Sequence, residues 1–281
     1  MSPIALLFEA LIEHPRLHAP TSAVYRVLKA FARAQIEASF SSLERIGREF
    51  WEFGPLSLPY TSMGAVTSLD LFGLDELIIF TFYHRNRSRY RRVLDIGANL
   101  GLHSMIMARC GFEVKAFEPD PSHFDLLKAN LAANNISNVE AMAEAVSTTD
   151  GKAEFVRVLG NTTGSHLAGS KSSYGEREYF TVSTTAAGPL FEWADFAKID
   201  AEGHERDLLL NTSAEAFAHL DVMVEIGNDA NAEAIFAHCQ ALDVRMFAQK
   251  IGWQPARRLA DMPTSHREGS LFLSTKPEMP W

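Results

Sequence analysis

The chain has 281 residues, 47% hydrophobic and 22% charged, with 35 acidic against 26 basic side chains and a formal net charge of −9. That is the composition of an ordinary globular protein, long enough for one large domain or a domain with an appendage. The acidic balance argues against a nucleic-acid partner, and no apolar run reaches membrane-spanning length, so no membrane partner is expected either.

The opening stretch, MSPIALLFEALIEHP, interrupts its apolar residues with Glu9 and Glu13 and has no basic leader. No signal peptide is expected there, and the location is read as cytoplasmic. Residues 1–88 read as a helical N-terminal extension that covers the acceptor or makes an oligomer contact, a homodimer included. Ile4, Leu7, Phe8 and Leu11 give one apolar stripe; Val24, Val27, Leu28 and Phe31 give another. FGPLSLPYTS (53–62) breaks the pattern before a further apolar helix near LDELIIFTFYH. HRNRSRYRR (84–92) then holds five arginines. They suit an anion contact or, the plainer reading, a solvated helix end where arginine caps carbonyls.

From residue 89 onward a second unit is expected, running to 281. Short continuous apolar runs at 92–96, 113–117, 196–200 and 220–226 alternate with helical stretches, one marked by Phe124, Leu127 and Leu131, another by Ile235, Cys239 and Leu242. Continuous apolar strands are buried on both faces, which predicts an α/β doubly wound, mostly parallel sheet under helices. VRMFAQKIGW and EGSLFLSTK lack a long helix between them and predict an antiparallel C-terminal hairpin. Cys110 and Cys239 fall at apolar helical positions and read as reduced core thiols. Residues 159–179, rich in Gly and Ser, read as a lid or as a surface hairpin.

VLDIGANLGLH (93–103) runs from an apolar strand through an acid into a glycine turn that opens a helix. A dinucleotide fingerprint counted from Gly97 needs glycine at 99 and 102; the chain has Asn99 and Leu102, and its second glycine is Gly101. The loop therefore lacks the spacing that packs a pyrophosphate against a helix N-terminus. VKAFEPDP ends a second strand in Glu118, 21 residues after Gly97 (118 − 97), close to the ~20-residue offset at which an acid grips ribose hydroxyls. A ribose without a pyrophosphate points to S-adenosylmethionine, with S-adenosylhomocysteine as product. The plainer reading of Glu118 is a surface acid ahead of a helix that Asp120 or Ser122 already caps.

VLDIGANLG, FEPDPSHFDLLKANLAANN, AKIDAEGHERDLL and MVEIGND together resemble FkbM-type S-adenosylmethionine-dependent methyltransferases, over roughly residues 90–230. The resemblance implies a class I methyltransferase (Rossmann-like) fold, seven strands in the order 3-2-1-4-5-7-6. It also implies methyl transfer, usually to a hydroxyl of a sugar, polyketide or other secondary metabolite. Carried over, Asp95, Gly97, Asn99, Gly101 and Glu118 line the cofactor. Where such proteins often show T-L-D ahead of the third motif, this chain has TVSTTAAG.

KIDAEGHE packs Lys198, Asp200, Glu202, His204 and Glu205 into eight residues at a strand end, where ligands bind in such sheets. Asp200 is expected to orient or deprotonate a hydroxylated small-molecule acceptor, with Glu202 and His204 as further candidates for the base. His103 is expected to pack near the cofactor. Glu225 and Asn228 are expected on the substrate side. Asp200, Glu225, Asn228 and Asp229 are also oxygen ligands that magnesium accepts, but acids bonded to each other and to the acceptor are the preferred reading. N-methylation and a cofactor-binding pseudoenzyme remain the alternatives to O-methylation.

Overall fold

A computed structural model describes residues 2–171 and 175–281. Along the chain run α1 (Pro3–Glu13), α2 (Ala23–Phe40), β1 (Arg48–Glu49), β2 (Pro55–Leu56), α3 (Leu74–Arg85), β3 (Arg92–Ile96), α4 (Leu102–Arg109), β4 (Glu113–Phe117), α5 (Pro121–Ala133) and β5 (Val139–Met142). There follow β6 (Glu144–Ser147), β7 (Gly151–Val158), β8 (His166–Leu167), β9 (Arg177–Ala186), α6 (Ala187–Trp193), β10 (Phe196–Ile199), α7 (Glu205–Leu210) and α8 (Ala214–Phe217). The chain ends with β11 (Asp221–Val224), α9 (Asp229–Ala241), β12 (Arg245–Ala248), β13 (Gln254–Pro255) and β14 (Leu271–Ser274).

The main sheet has the order β13-β12-β14-β11-β10-β3-β4-β5. β11, β10, β3, β4 and β5 are mutually parallel, and β14 runs antiparallel between β11 and β12. Numbering only the strands from β5 to β12 gives 3-2-1-4-5-7-6, the class I order; the two-residue β13 is an eighth strand beyond the expected seven. Strand side chains alternate between two cores. Leu94, Ile96, Ala197, Ile199, Val222 and Val224 join the core under α6, α7 and α9. Val93, Val114, Ala116, Phe196 and Met223 join the opposite one.

That opposite core is where the N-terminal region lies. α3 is buried along most of its length, as a helix apolar all round must be, and Phe82 packs on Phe196 of β10 and Phe272 of β14 at centroid distances of 5.6 and 5.4 Å. α1 buries Ile4, Leu7, Phe8 and Leu11 as its stripe predicts. The second stripe does not hold: α2 buries Tyr25, Ala32, Ile36 and Phe40, leaving Val24, Val27 and Phe31 exposed by 48%, 69% and 40%. Its buried face packs Phe40 on Phe50 and Phe72, and Tyr25 Oη donates to Asp75 and Arg33 to Asp70 along its flanks. The region is also not wholly helical, since β1 and β2 form an antiparallel ribbon around Phe50 and Phe53. Arg87 donates to the His84 carbonyl at the end of α3, the helix-end role of the arginine run.

A second sheet, β6-β9-β7-β8, is inserted between β5 and α6. The stretch 159–179, read as a lid or a surface hairpin, connects the antiparallel strands β7 and β9 and holds β8 and the start of β9; residues 172–174 lie outside the described residues.

Phe8 is fully buried, stacked on Trp51 at 4.8 Å and edge-on to Phe50 and Phe53. Phe8→Ala should cost about 3–5 kcal/mol, and because its core continues onto the sheet face, denaturation followed by tryptophan fluorescence and by circular dichroism should stay coincident. An early separate transition, with the sheet melting as in wild type, would contradict a shared core.

Candidate functional site

Four parallel strands deliver one residue each to the carboxyl edge of the sheet. Register pairs Asp95 with Lys198 and Lys198 with Met223, so the strands end in step. Just beyond them, Gly97 N–H donates to Phe117 O, Asp200 N–H to Ile96 O, Glu225 N–H to Ile199 O and Glu118 N–H to Met142 O. The ladder thus extends one residue past β3, β10, β11 and β4, and places Gly97, Asp200, Glu225 and Glu118 side by side.

The glycines of the loop answer to the protein's own packing. A Cβ on Gly97, at φ +80°, would lie 1.9 Å from the Asp200 carbonyl oxygen, an impossible contact. Gly101 begins α4 from the left-handed region, φ +82°, against the Leu127 side chain. Asn99 lies between them at φ +51°, and its side-chain oxygen is buried without a hydrogen-bond partner among the described residues. Glu118 braces this loop, accepting from Asn99 N–H at 2.7 Å and Asp120 N–H at 2.8 Å. It is 6% exposed, and burial pushes its carboxyl up to about 8 against those two bonds. Asp120, not Glu118, caps α5.

Two clefts flank the loop. The larger, about 630 Å³, has Glu118 on its floor and Val146, Phe155 and Leu167 as apolar walls. An apolar slot beside a buried acid and an unsatisfied asparagine oxygen fits an adenosine, the base against the walls and the ribose at Glu118. The smaller, about 330 Å³, is bordered by Glu76, Leu102, His103 and Lys198, and shares Gly97, Asn99 and Asp200 with the first.

The second sheet roofs the larger cleft and is tied down around its rim. Arg157 of β7 donates twice to Asp120, both at 2.7 Å, the bidentate pairing that fixes geometry best. Thr162 N–H donates to Met63 O and Ala65 N–H to Gly160 O, joining the roof to the N-terminal region. Lys171 pairs with Glu202. His204 contacts Ser147 Oγ at 3.1 Å and Ser170 Oγ at 3.3 Å, and burial lowers its basicity.

The expected acceptor residues separate accordingly. Asp200 borders both clefts, with Lys198 Nζ 3.3 Å from Oδ2. Glu202 and His204 line the larger cleft and bind its roof. Glu225 stands beside Asp200; burial first, then repulsion from Asp200, Glu76 and Glu202, raises its carboxyl well above the usual range, and burial with the Asp200 charge raises Glu202 as well. Asn228 instead caps α9, its side-chain oxygen accepting from Asn231 N–H at 2.8 Å, which commits the oxygen expected to meet substrate. Among the described residues no group of three acidic, His or Cys side chains is placed to hold a metal. Lys198 is nearly buried; burial opposes its charge, but Asp200, Asp95, Glu76 and Glu225 overcome that and hold it protonated. Asp95, 0% exposed, accepts from Ser104 Oγ and lies 3.9 Å from Lys198.

Two features have weak sequence signals. Glu205 accepts from Ala201 and Gly203 N–H, holding the turn after β10. Glu76 of α3 meets His103 Nε2 at 2.9 Å, and His103 Nδ1 meets Tyr83 Oη at 2.9 Å. The one hint is an acidic pair, Asp75 and Glu76, opening a helix that is otherwise apolar.

A model of the methyltransferase FkbM domain matches residues 95–250. The methyltransferase sdnD of Sordaria araneosa is 39% identical over 77 residues, a match covering 25% of this chain and 30% of that relative. Among solved structures, a SAM-dependent methyltransferase from Agrobacterium tumefaciens aligns with TM-score 0.39 and 12% identity over 72% of this chain and 62% of its own. An O-methyltransferase from Bacillus cereus in complex with SAH aligns with TM-score 0.38 and 14% identity over 70% and 80%. Likeness at that level adds nothing to what the strand order shows.

Glu118 also sets a pH dependence. Its ordinary value of 4.5 rises to about 8 in the fold, so the native state holds a proton that the unfolded chain releases, and stability falls as pH climbs from about 4.5 to 8. Across pH 5 to 8 wild type should lose on the order of a few kcal/mol relative to Glu118→Gln, read from melting curves of both proteins. Parallel curves over that range would show that Glu118 is not buried as described.

Proposed function

This chain belongs to the FkbM family of methyltransferases, and we propose that it methylates a hydroxyl group on a small metabolite, a sugar, polyketide or other natural product, with S-adenosylmethionine as methyl donor. The observation that carries the reading is the carboxyl edge of the sheet, where Asp200 and Glu225 follow adjacent strand ends beside a loop braced by Glu118.

The cofactor, when bound, supplies an electrophilic methyl on a sulfonium. The protein's part is to hold two reactants in line, worth up to ~7–11 kcal/mol of the barrier, and to accept the proton the alcohol loses, worth ~10²–10⁴-fold. Glu118 and the Gly97–Asn99 turn hold the adenosine. Asp200, fixed by Lys198, receives the acceptor hydroxyl. Asp200 also takes the proton that the acceptor loses, while Glu225 stands beside it with its proton affinity raised by burial and neighbouring acids. Glu202 and His204 secure the roof that keeps water out, through Lys171, Ser147 and Ser170. Residues 1–88 close the other side, bringing Leu71 and Glu76 to the smaller cleft. Recessed clefts under a tied roof suit a small acceptor rather than a flat macromolecular surface, and the acidic balance of the chain suits neither nucleic acid nor an anionic membrane. No helix of the described residues is long and apolar enough to cross a membrane.

Asp200→Asn keeps the shape and removes the charge. Turnover should fall by ~10²-fold or more, while the dissociation constant of S-adenosylhomocysteine, which lacks the sulfonium charge, stays within about five-fold. Normal turnover in the variant would move the acceptor chemistry to Glu225. Methyl ethers recovered from a panel of hydroxylated metabolites support the reading. Methyl recovered on nitrogen would replace it with N-methylation, and cofactor binding without turnover on any fraction would make the chain a pseudoenzyme.

A further inference from the structure

The smaller cleft has a role that the adenosine site and the acceptor acids leave open. It shares Gly97, Asn99 and Asp200 with the larger one, so a ligand lying across the loop occupies both. Its other walls are Leu71 and Leu102, which are apolar, and Glu76, His103 and Lys198. The Glu76 carboxylate is fixed from behind: placing the His103 proton on Nε2 lets that N–H donate to Glu76 while Tyr83 O–H donates to Nδ1, satisfying all three groups. Tyr83 is fully buried, so this chain anchors Glu76 in the core rather than in solvent.

We propose that the smaller cleft holds the amino-acid end of S-adenosylmethionine, and that Glu76, contributed by the N-terminal region, binds its ammonium group while Lys198 faces its carboxylate. The assignment rests on the methyltransferase reading above. The cofactor carries an ammonium, a carboxylate and a sulfonium, one positive charge in excess. Glu76, Lys198 and Asp200 present the opposite set, one negative charge in excess, and Leu71 and Leu102 flank the methylene stem. Asp200, common to both clefts, lies where the sulfonium joins the two ends. Tyr83 and His103 are positioning residues that aim Glu76; Tyr83 lies behind the cleft and His103 forms part of its wall.

The discriminating pair of ligands is S-adenosylhomocysteine and 5′-methylthioadenosine, which keeps the adenosine and sulfur but lacks the amino acid. By calorimetry, Glu76→Gln should raise the dissociation constant of the first by about 10–150-fold and leave the second within about two-fold. Tyr83→Phe, which keeps the ring volume, should show the same selectivity at about 2–10-fold, and decides the matter if Glu76→Gln does not fold. Equal weakening of both ligands would assign Glu76 a purely structural role and overturn the proposal, as would unchanged binding of S-adenosylhomocysteine. Wild type that binds S-adenosylhomocysteine beside an unaffected variant overturns this assignment alone, whereas wild type that binds neither ligand overturns the methyltransferase reading with it.

Discussion

The site depends on one buried cation. Lys198 is in register with Asp95 on the neighbouring strand and two residues before Asp200 on its own, so the sheet's geometry alone sets an ammonium between two carboxylates. An isolated charge at that depth would cost several kcal/mol, as would Asp95, one of whose oxygens makes no hydrogen bond among the described residues. Each makes the other tolerable. Glu76 extends the cluster, so together with Asp95 and Asp200 the acids outnumber the lysine. Replacing Lys198 by an apolar residue would leave uncompensated acids at the centre of the site, a far costlier change than trimming any one acid at the rim.

Around that centre the loop is fastened to itself before any ligand arrives. Gly97 is small because the Asp200 carbonyl occupies the space of its side chain, and Glu118 is buried because two backbone N–H groups of the turns require it. Residues that look like ligand contacts are therefore also fold contacts. Their loss reaches the cofactor through a displaced loop as well as through a missing bond, so a pH-stability measurement on Glu118 and a binding measurement on Glu76 are more informative than activity alone.

The parallel sheet was legible because each of its strands is a short apolar run buried on both faces, and the edge acids because they follow those runs directly. Glu118, Asp200 and Glu225 could be placed from spacing for that reason, whereas Asp95 lies inside β3 and entered through the family resemblance. The second sheet was legible only as a surface hairpin around 159–179, which β7 and β9 form; its other strands, β6 and β8, are too short to carry a pattern. The buried face of α2 was misread because a longer apolar stripe, Tyr25, Leu28, Ala32, Ile36 and Phe40, runs the whole helix and packs on the core, outweighing the short one at Val24, Val27 and Phe31. Asn228, expected on the substrate side, uses its side-chain oxygen to cap α9, a common use of asparagine ahead of a helix. Glu76 escaped notice because its partner His103 is 27 residues away in sequence, and only the packing of α3 on α4 brings them together.

The central claim is that one ligand lies across the Gly97–Asn99 turn with its two ends in two clefts. A crystal structure of the protein with S-adenosylhomocysteine tests it most directly. The account predicts density with the ribose hydroxyls at the Glu118 carboxylate and the amino-acid end between Glu76 and Lys198. Density confined to the larger cleft, or a ribose away from Glu118, would contradict it.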